Sequence, residues 1–376
     1  LKPKLSFVNE KLAKIKKSNL YRTLIYSKIS GPYIIIRNRR LVNLSSNDYL
    51  GLGHARINFS QIQSSSRLIA GNDKSFKDLE SKLAHHKSQQ SSLVFPTGYM
   101  ANLGAISILA QKNDLILSDE LNHASIIDSC RLSHAKKLVY KHNDVEDLEK
   151  KIKKRGVRKF VITEGIFSMN GDFARLKQIS KICNEYKAFL ILDDAHGDFV
   201  AGKDGRGSAS HLGVAGKIDV YISSLSKGLG AFGGYMAANK TITELAINTS
   251  RPFIYTSALP NFLANLALKK FNMKREEKRL KLWKRVEEIR KGLITMGYDI
   301  QSESQIIPII IGEEKKTMQF SKHLFDKGFF AQPIRYPTVT LGSARIRISI
   351  SSWLSEDHIL QALNIFEKAG KKFSIL

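Results

Sequence analysis

Ser223-Ser224-Leu225-Ser226-Lys227-Gly228-Leu229-Gly230-Ala231-Phe232-Gly233-Gly234 sets one lysine among small hydroxyl and glycine residues, just after the strand-like run Ile218–Ile222. Upstream, Phe189-Leu190-Ile191-Leu192-Asp193-Asp194-Ala195-His196-Gly197 is an apolar strand that ends in two carboxylates and a histidine. Taken singly, each stretch is ordinary: a lysine in a Ser/Gly loop is a solvated side chain, and strand ends in α/β proteins carry ligands of many kinds. The pair, in this order, is more specific.

Outward from these stretches, strand and helix patterns alternate. Strands are expected at Leu93–Phe95, Asp114–Ser118, Lys137–Tyr140, Lys159–Thr163 and Phe189–Asp193, with helices at Tyr99–Gln111, Ala124–Ser133, Val145–Arg155 and Leu176–Tyr186. Such alternation argues for an α/β fold with a mostly parallel sheet covered on both faces. Ligands bind such sheets at the carboxyl ends of the strands, where Asp193, His196 and Lys227 all fall. Residues 5–28 read as an amphipathic helix and an irregular arm, Tyr33–Arg37 and Leu41–Leu44 as a hairpin, and Phe76–His86 as a helix. A long helical stretch, Asn261–Met296, precedes strands at Gln305–Ile311 and Arg345–Ser349 and helices at Thr317–Lys327 and Glu356–Lys368. The expected division is an N-terminal helix and arm (1–45), a large domain (46–245), and an interdomain helix with a smaller α+β C-terminal domain (246–376).

A chain of 376 residues with 43% hydrophobic and 25% charged residues has the composition of an ordinary soluble protein with a full core. Its two cysteines, Cys130 and Cys183, make no disulfide framework and point to a reducing, cytoplasmic setting. No Cys/His cluster proposes a metal. The basic N-terminus lacks the apolar core of a secretory signal, and no run approaches the roughly 20 apolar residues that span a bilayer. Leu1 stands where a start methionine is expected, so the natural start is left open. The net charge of +26 is large, but the basic residues are spread. The cluster Lys274–Arg285 alternates with glutamates, like a solvated helix face. No nucleic-acid or membrane partner is expected, although the charge could steer an acidic acyl carrier protein.

The residues that could assemble one site have a common chemistry. A lysine that forms a Schiff base and an aspartate that keeps a pyridinium nitrogen protonated are what pyridoxal 5'-phosphate requires. Lys227 and Asp193 are those residues, and His196 could reach the cofactor's phenolic oxygen. His123, between a strand and a helix, could stack on the ring. Thr97-Gly98-Tyr99 opens a helix whose free N–H groups suit a phosphate. Arg345 and Arg347, on one face of a strand, could hold a carboxylate bidentately, and spacing does not separate them.

With these residues the chain resembles the α-oxoamine synthases, pyridoxal phosphate enzymes of fold type I. The resemblance runs from about Leu20 to Ile359. It is carried by Asn47-Asp48-Tyr49-Leu50-Gly51-Leu52, Ser66-Arg67-Leu68-Ile69-Ala70-Gly71-Asn72, Leu121–Ser125, His142-Asn143-Asp144, Thr163–Asp172, Asp193–Gly197 and Ser226-Lys227-Gly228. It implies an aspartate aminotransferase-like large domain with a mostly parallel seven-stranded sheet, and a homodimer with sites at the interface. Thr163-Glu164-Gly165, Asp194-Ala195-His196-Gly197 and Ile334–Val339 favour the alanine-using branch. That branch condenses L-alanine with pimeloyl-CoA or pimeloyl-acyl carrier protein, with loss of CO₂, to 8-amino-7-oxononanoate for biotin. Glycine-using synthases, or a non-catalytic relative, remain as alternatives. By the resemblance, Lys227, Asp193 and His123 are catalytic. His196 and Ser168 contact the ring oxygen side. Gly98, Tyr99 and Ser224 hold the phosphate, and Thr256 reaches the phosphate of the partner subunit. Arg347, Asn47, Arg22 and Thr338 contact substrate.

The chain departs from the family pattern in places. Gly53–Ser65 is short, and Gln61–Ser65 stands where glycines are usual, which implies altered loop geometry and thioester binding. Ser224 replaces a threonine, Asp198-Phe199 replaces smaller residues, and Trp353–His358 lacks the usual small-residue and His-Thr pattern.

Overall fold

Val8, Leu12 and Ile15 share one face of α1 (Ser6–Lys17), as expected of an amphipathic helix, but α1 contributes no buried residue. The computed structural model describes residues 3–54 and 62–376; most of the glycine-poor departure at Gly53–Ser65 lies outside the described residues. After an irregular arm come β1 (Lys28–Ser30), β2 (Tyr33–Ile36) and β3 (Arg39–Asn43), paired antiparallel in sequence. Between β2 and β3, Arg37 and Asn38 take φ of 50° and 60°. That is the geometry of a tight two-residue hairpin turn.

The next stretch is built of α2 (Lys74–His86), β4 (Ser91–Phe95), α3 (Gly98–Leu109), β5 (Leu115–Asp119), α4 (Ala124–Leu132), β6 (Lys136–Tyr140), α5 (Val145–Ile152), β7 (Lys159–Glu164), α6 (Leu176–Glu185), β8 (Phe189–Asp193), α7 (Ser208–His211), β9 (Val220–Ser224) and β10 (Gly234–Ala238). Helices α8 (Lys240–Thr249), α9 (Arg251–Ile254), α10 (Asn261–Phe271) and α11 (Glu276–Thr295) follow. The seven strands form one sheet in the order β4-β10-β9-β8-β7-β5-β6. From β9 to β6 every pairing is parallel, while β10 runs antiparallel to both β9 and β4. Ile162, Ile191, Val220, Ile222 and Met236 of the sheet share one buried cluster with Ile106 and Leu109 of α3, Ile126 of α4 and Phe253 of α9. Strands buried on both faces read as continuous apolar runs, which is why β7, β8 and β9 stood out in the sequence. β10 did not, because its glycine-rich approach extends the Lys227 loop.

The expected single helical stretch Asn261–Met296 is two helices. The Arg275 guanidinium donates to the carbonyls of Lys270, Phe271 and Met273, so the last turn of α10 is closed by a side chain. A cation at a helix C-terminus satisfies carbonyls that have no partner within the helix.

The remainder comprises β11 (Ile306–Gly312), α12 (Glu314–Asp326), β12 (Phe329–Phe330), β13 (Pro333–Ile334), β14 (Ala344–Ser349) and α13 (Glu356–Lys372). β11, β14 and β13 form an antiparallel sheet, and β12 pairs parallel with β3. By contacts the chain divides into two units. One is Asn47–Ser168 with Asp172–Arg279; the other is Leu1–Ser46, Met169–Gly171 and Leu280–Leu376.

Candidate active site

The parallel strands of the first unit deliver their polar residues to one end of the sheet. A cavity of roughly 170 Å³ there is lined by Gly98 and Asn102 of α3, His123 after β5, Glu164 of β7, Asp193 and His196 at and after β8, and Ser224 and Lys227 at and after β9. Each lies at or just beyond a strand's carboxyl end, or on the helix that follows one.

A chain of hydrogen bonds runs through Lys227. Its Nζ lies 2.8 Å from His196 Nε2, and His196 Nδ1 lies 2.7 Å from the Tyr49 hydroxyl. Tyr49 donates its proton to Asn47 Oδ1 at 3.1 Å. With that proton committed, Tyr49 accepts from His196 Nδ1–H, which leaves Nε2 to accept from the lysine. The imidazole is thereby held as one tautomer.

Asp193 is buried with both oxygens engaged. Oδ1 accepts from the Ala195 N–H (3.0 Å), and Oδ2 accepts from the Asn102 amide (2.6 Å), which also donates to Ser125 Oγ (2.9 Å). His123 caps α4: its Nδ1 accepts from the Ser125 N–H at 3.2 Å. Burial pulls the His123 imidazole below its ordinary pKa, Asp193 opposes this, and Lys227 reinforces it. A neutral ring with Nδ1 occupied as acceptor is the result. Ser168 sits beside Glu164, with its N–H donating to Glu164 Oε2 at 3.2 Å. Burial pushes the Glu164 carboxyl up to about 8, Asp193 adds to the rise, and Lys227 opposes it. Its other oxygen, Oε1, is buried without a protein partner.

At the opposite edge of the cavity α3 begins. Thr97 accepts from the Met100 N–H, and Gly98 follows as the first helical residue. A Cβ on Gly98 would stand 3.2 Å from Ser224 Cβ, and one on Gly234 would stand 2.4 Å from the Gly98 nitrogen. Glycine at both positions lets the start of α3, β10 and the end of β9 close on one another. The Tyr99 hydroxyl donates to Asp128, and its ring meets the His123 ring edge-on at 6.2 Å. Ser224 Oγ lies 2.8 Å from Ser226 Oγ. Helix-start N–H groups, a serine hydroxyl, a buried aspartate, a flanking imidazole and a lysine amine are the donor set of pyridoxal 5'-phosphate, and the residues fit that cofactor.

Asn102, Ser125, Tyr49 and Glu164 were not among the sequence-derived site residues. Asn102 was detectable as the one strongly polar side chain in Gly98–Leu109, and Glu164 as a charge closing the apolar run Phe160–Thr163. Thr256, half-buried after α9, lines no part of this cavity within the chain.

The turn that carries Asp193 and His196 also supplies a second cluster. Lys87, buried at the end of α2, pairs with Asp194 (2.9 Å) and Asp198 (2.7 Å). Asp198 also meets His86 Nε2 (3.0 Å) and accepts from Ser223 (2.8 Å) and Tyr235 (2.5 Å). Burial alone would lower the Lys87 ammonium, but the two carboxylates hold it above its ordinary value. Phe199 takes φ of 64°, stacked on His86 at 4.7 Å.

The remaining candidates belong to the other unit. Arg345 and Arg347 lie on β14, all of whose residues are buried. Arg345 donates to Met169 O, Asn170 Oδ1 and Ser343 O, and Arg347 donates to Ser349 Oγ at 2.7 Å. Arg22 donates to Tyr336 O at 3.0 Å, and Thr338 is exposed in the loop after β13.

Known proteins share this architecture. The family model described as "Aminotransferase class I and II" matches residues 39–366. A Thermoanaerobacter pseudethanolicus protein named 8-amino-7-oxononanoate synthase is 42% identical, over 99% of this chain and 98% of its own. A Treponema denticola protein of the same name is 38% identical, again over 99% and 98%. Among solved structures, a serine palmitoyltransferase from S. paucimobilis with a bound PLP-myriocin aldimine superposes with a TM-score of 0.92 at 27% identity, over 99% of both chains. Pyridoxal 5'-phosphate is therefore the cofactor of this protein. The chain belongs to the class I and II aminotransferase family, in its α-oxoamine synthase branch alongside the 8-amino-7-oxononanoate synthases.

Proposed function

We propose that the protein joins L-alanine to a pimeloyl thioester, carried on CoA or on acyl carrier protein, and releases 8-amino-7-oxononanoate, CO₂ and the free thiol for biotin synthesis. The observation that carries this is the full-length likeness to proteins named for that product. Bound in the cavity, pyridoxal 5'-phosphate supplies an electron sink for the alanine Cα. Asp193, fixed by Asn102 and the Ala195 N–H, holds the ring nitrogen. Gly98, Tyr99 and Ser224 hold the phosphate, with Thr256 reaching across from the partner subunit. His123 lies against the ring, and His196 and Ser168 contact its oxygen side. The Lys227 amine takes the Cα proton and later returns one to the product, with His196 Nε2 positioned to accept from it. Arg347 holds the substrate carboxylate, as the resemblance implies. Asn47, Arg22 and Thr338 contact the substrate.

The working state in this proposal is a cytoplasmic homodimer. Ile69 and Tyr255 are 81% and 72% exposed, and Ala258 N–H donates to Ser65 O, so apolar surface gathers on neighbouring segments. Both cysteines are buried and unpaired. Among the described residues no helix is long and apolar enough to cross a membrane.

The test is a visible absorbance titration of the cofactor-loaded protein with L-alanine, glycine and L-serine, followed by pimeloyl-CoA or pimeloyl-acyl carrier protein and mass spectrometry of the product. L-Alanine alone should perturb the cofactor band and yield 8-amino-7-oxononanoate. A band and a product that respond to glycine or L-serine instead would overturn the assignment.

A further inference from the structure

We propose that His142 is a positioning residue that locks together the loops carrying His123 and Ser168 by donating from both ring nitrogens to Asp119 and Asp172. The inference rests on the reading of His123 and Ser168 as groups that meet the cofactor.

His142 follows β6 and lines no part of the catalytic cavity. Its Nδ1 lies 3.0 Å from Asp119 Oδ1, and its Nε2 lies 2.7 Å from Asp172 Oδ2. Asp119 ends β5 and organises the loop to His123, accepting from the Leu121 N–H (2.9 Å) on Oδ1 and the Asn143 N–H (3.0 Å) on Oδ2. Asp172 closes the turn that carries Ser168: its carbonyl accepts from the Phe167 N–H at 3.0 Å, and Ile166 bridges Phe173. Asn143 makes the same span in parallel. Its amide donates to Asp172 Oδ2 (2.8 Å) and Phe173 O (3.0 Å), and its Oδ1 accepts from the Arg175 N–H (3.2 Å). Two adjacent residues thus tie the loop after β5 to the turn after β7.

Both oxygens facing the imidazole belong to carboxylates, which only accept while ionised. A neutral ring can donate to one of them; two donations need the imidazolium. The charged groups facing His142 from the packed elements are Asp119 and Asp172, and the Phe167 ring meets it edge-on at 4.4 Å. Burial opposes the charge, but the bonds to Asp119 and Asp172 outweigh it and raise the imidazole to about 10. The charged clasp is therefore intact at neutral pH and opens in strong alkali. On opening, the ring keeps one of its two donations, the span is left to Asn143, and the cofactor contacts of His123 and Ser168 are held less tightly to a common reference.

The experiment follows ¹⁵N-histidine resonances and cofactor affinity in the holoenzyme, for the native protein, His142→Gln and Asp172→Asn. Both His142 nitrogens should be protonated at pH 8. Asp172→Asn should lower the His142 midpoint by at least one pH unit. His142→Gln should bind cofactor about tenfold more weakly at pH 8, and its affinity should lack the alkaline component that tracks the His142 titration. A neutral His142 at pH 8 overturns the proposal. So does a Gln variant that loses thermal stability but keeps the native cofactor affinity and pH profile. Because cofactor affinity is read without substrate, a wrong assignment of the amino acid or acyl donor leaves this outcome intact.

Discussion

Residues 193–198 face two neighbourhoods that treat charge in opposite ways. Asp193 and His196 go to a cavity, where Lys227 Nζ lies 2.8 Å from His196 Nε2 and Glu164 Oε1 is buried without a hydrogen bond. Asp194 and Asp198 go to a sealed cluster, where Lys87 bonds to both carboxylates and to the Arg206 carbonyl. Burial of ions is sustained in the second case by mutual pairing, whereas in the first burial pushes the Glu164 carboxyl toward its neutral form. The difference separates the residues to which the proposed function gives the chemistry from residues that hold the turn on which they sit.

The largest effects should fall on the cavity. Lys227→Ala should abolish the visible band of bound cofactor and lower turnover by roughly a thousandfold or more, and Asp193→Asn should lower turnover by roughly a hundredfold or more. Neither should reduce the urea midpoint of the cofactor-free protein by much. Steady-state kinetics and urea melts on the same variants check this. If Asp194→Asn lost more turnover than Asp193→Asn at unchanged stability, the two neighbourhoods would have to exchange roles.

The sealed cluster should show the reverse pattern. Lys87→Met strands two carboxylates in the interior and should cost about 3–5 kcal/mol of stability. The double variant Lys87→Met/Asp198→Asn removes one of those charges and should recover part of the loss. Phe199 belongs to the same comparison. Its φ of 64° is unfavourable for a side chain with a Cβ, by about 1–2 kcal/mol, yet its fully buried ring stacks on His86. Urea unfolding of the single and double variants measures the coupling. A non-destabilising Lys87→Met would show that the carboxylates had taken up protons instead.

Much of this was legible in the sequence, for a physical reason. Lys227, Asp193, His196 and His123 follow apolar runs, and a polar residue ending a buried parallel strand has few places to go except the ligand edge. Tyr49 and Asn102 were harder to see. Tyr49 comes from the motif Asn47–Leu52, in which only Asn47 was singled out, and Asn102 from the second turn of a helix whose period predicts packing. What brings them to His196 and Asp193 is tertiary geometry. Strand β10 was hidden because Gly233 and Gly234 look like loop, although Gly234 is required by its closeness to Gly98. The helix break at 272–275 depends on Arg275 folding back on carbonyls, which helical periodicity does not register.

Glu164 sharpens the contrast, since it is a cavity residue under a burial penalty. Its folded-state value of about 8 lies above the 4.5 of an unburied glutamate. Below pH 4.5 both states hold the proton. As pH rises toward 8 the unfolded chain releases the proton while the folded protein keeps it, so stability falls. Above that value both states are ionised and the slope ends. Glu164→Gln has no proton to lose. It should gain about 2–3 kcal/mol relative to the native cofactor-free protein between pH 6 and pH 9. Thermal melts across that range decide it, and parallel curves for the two proteins would mean that Glu164 is ionised at neutral pH.

The smallest effect tests how finely the cavity is fitted. Ser224 stands where the family usually has threonine, and its Oγ lies 2.8 Å from Ser226 Oγ. Ser224→Thr keeps the hydroxyl that the proposed phosphate contact needs and adds one methyl. The room for that methyl is set by Gly98, where a Cβ would already stand 3.2 Å from Ser224 Cβ. Because Gly98 has none, the methyl should be accommodated, and cofactor affinity should change by less than about threefold, under ~1 kcal/mol. Ser224→Ala would remove the proposed charge-assisted hydrogen bond to the phosphate and should weaken affinity by roughly ten- to a hundredfold. Equilibrium dialysis of the cofactor against both variants separates the hydroxyl from the methyl. A Thr variant as weak as the Ala variant would mean that packing at the start of α3, rather than the donor itself, limits how the phosphate is held.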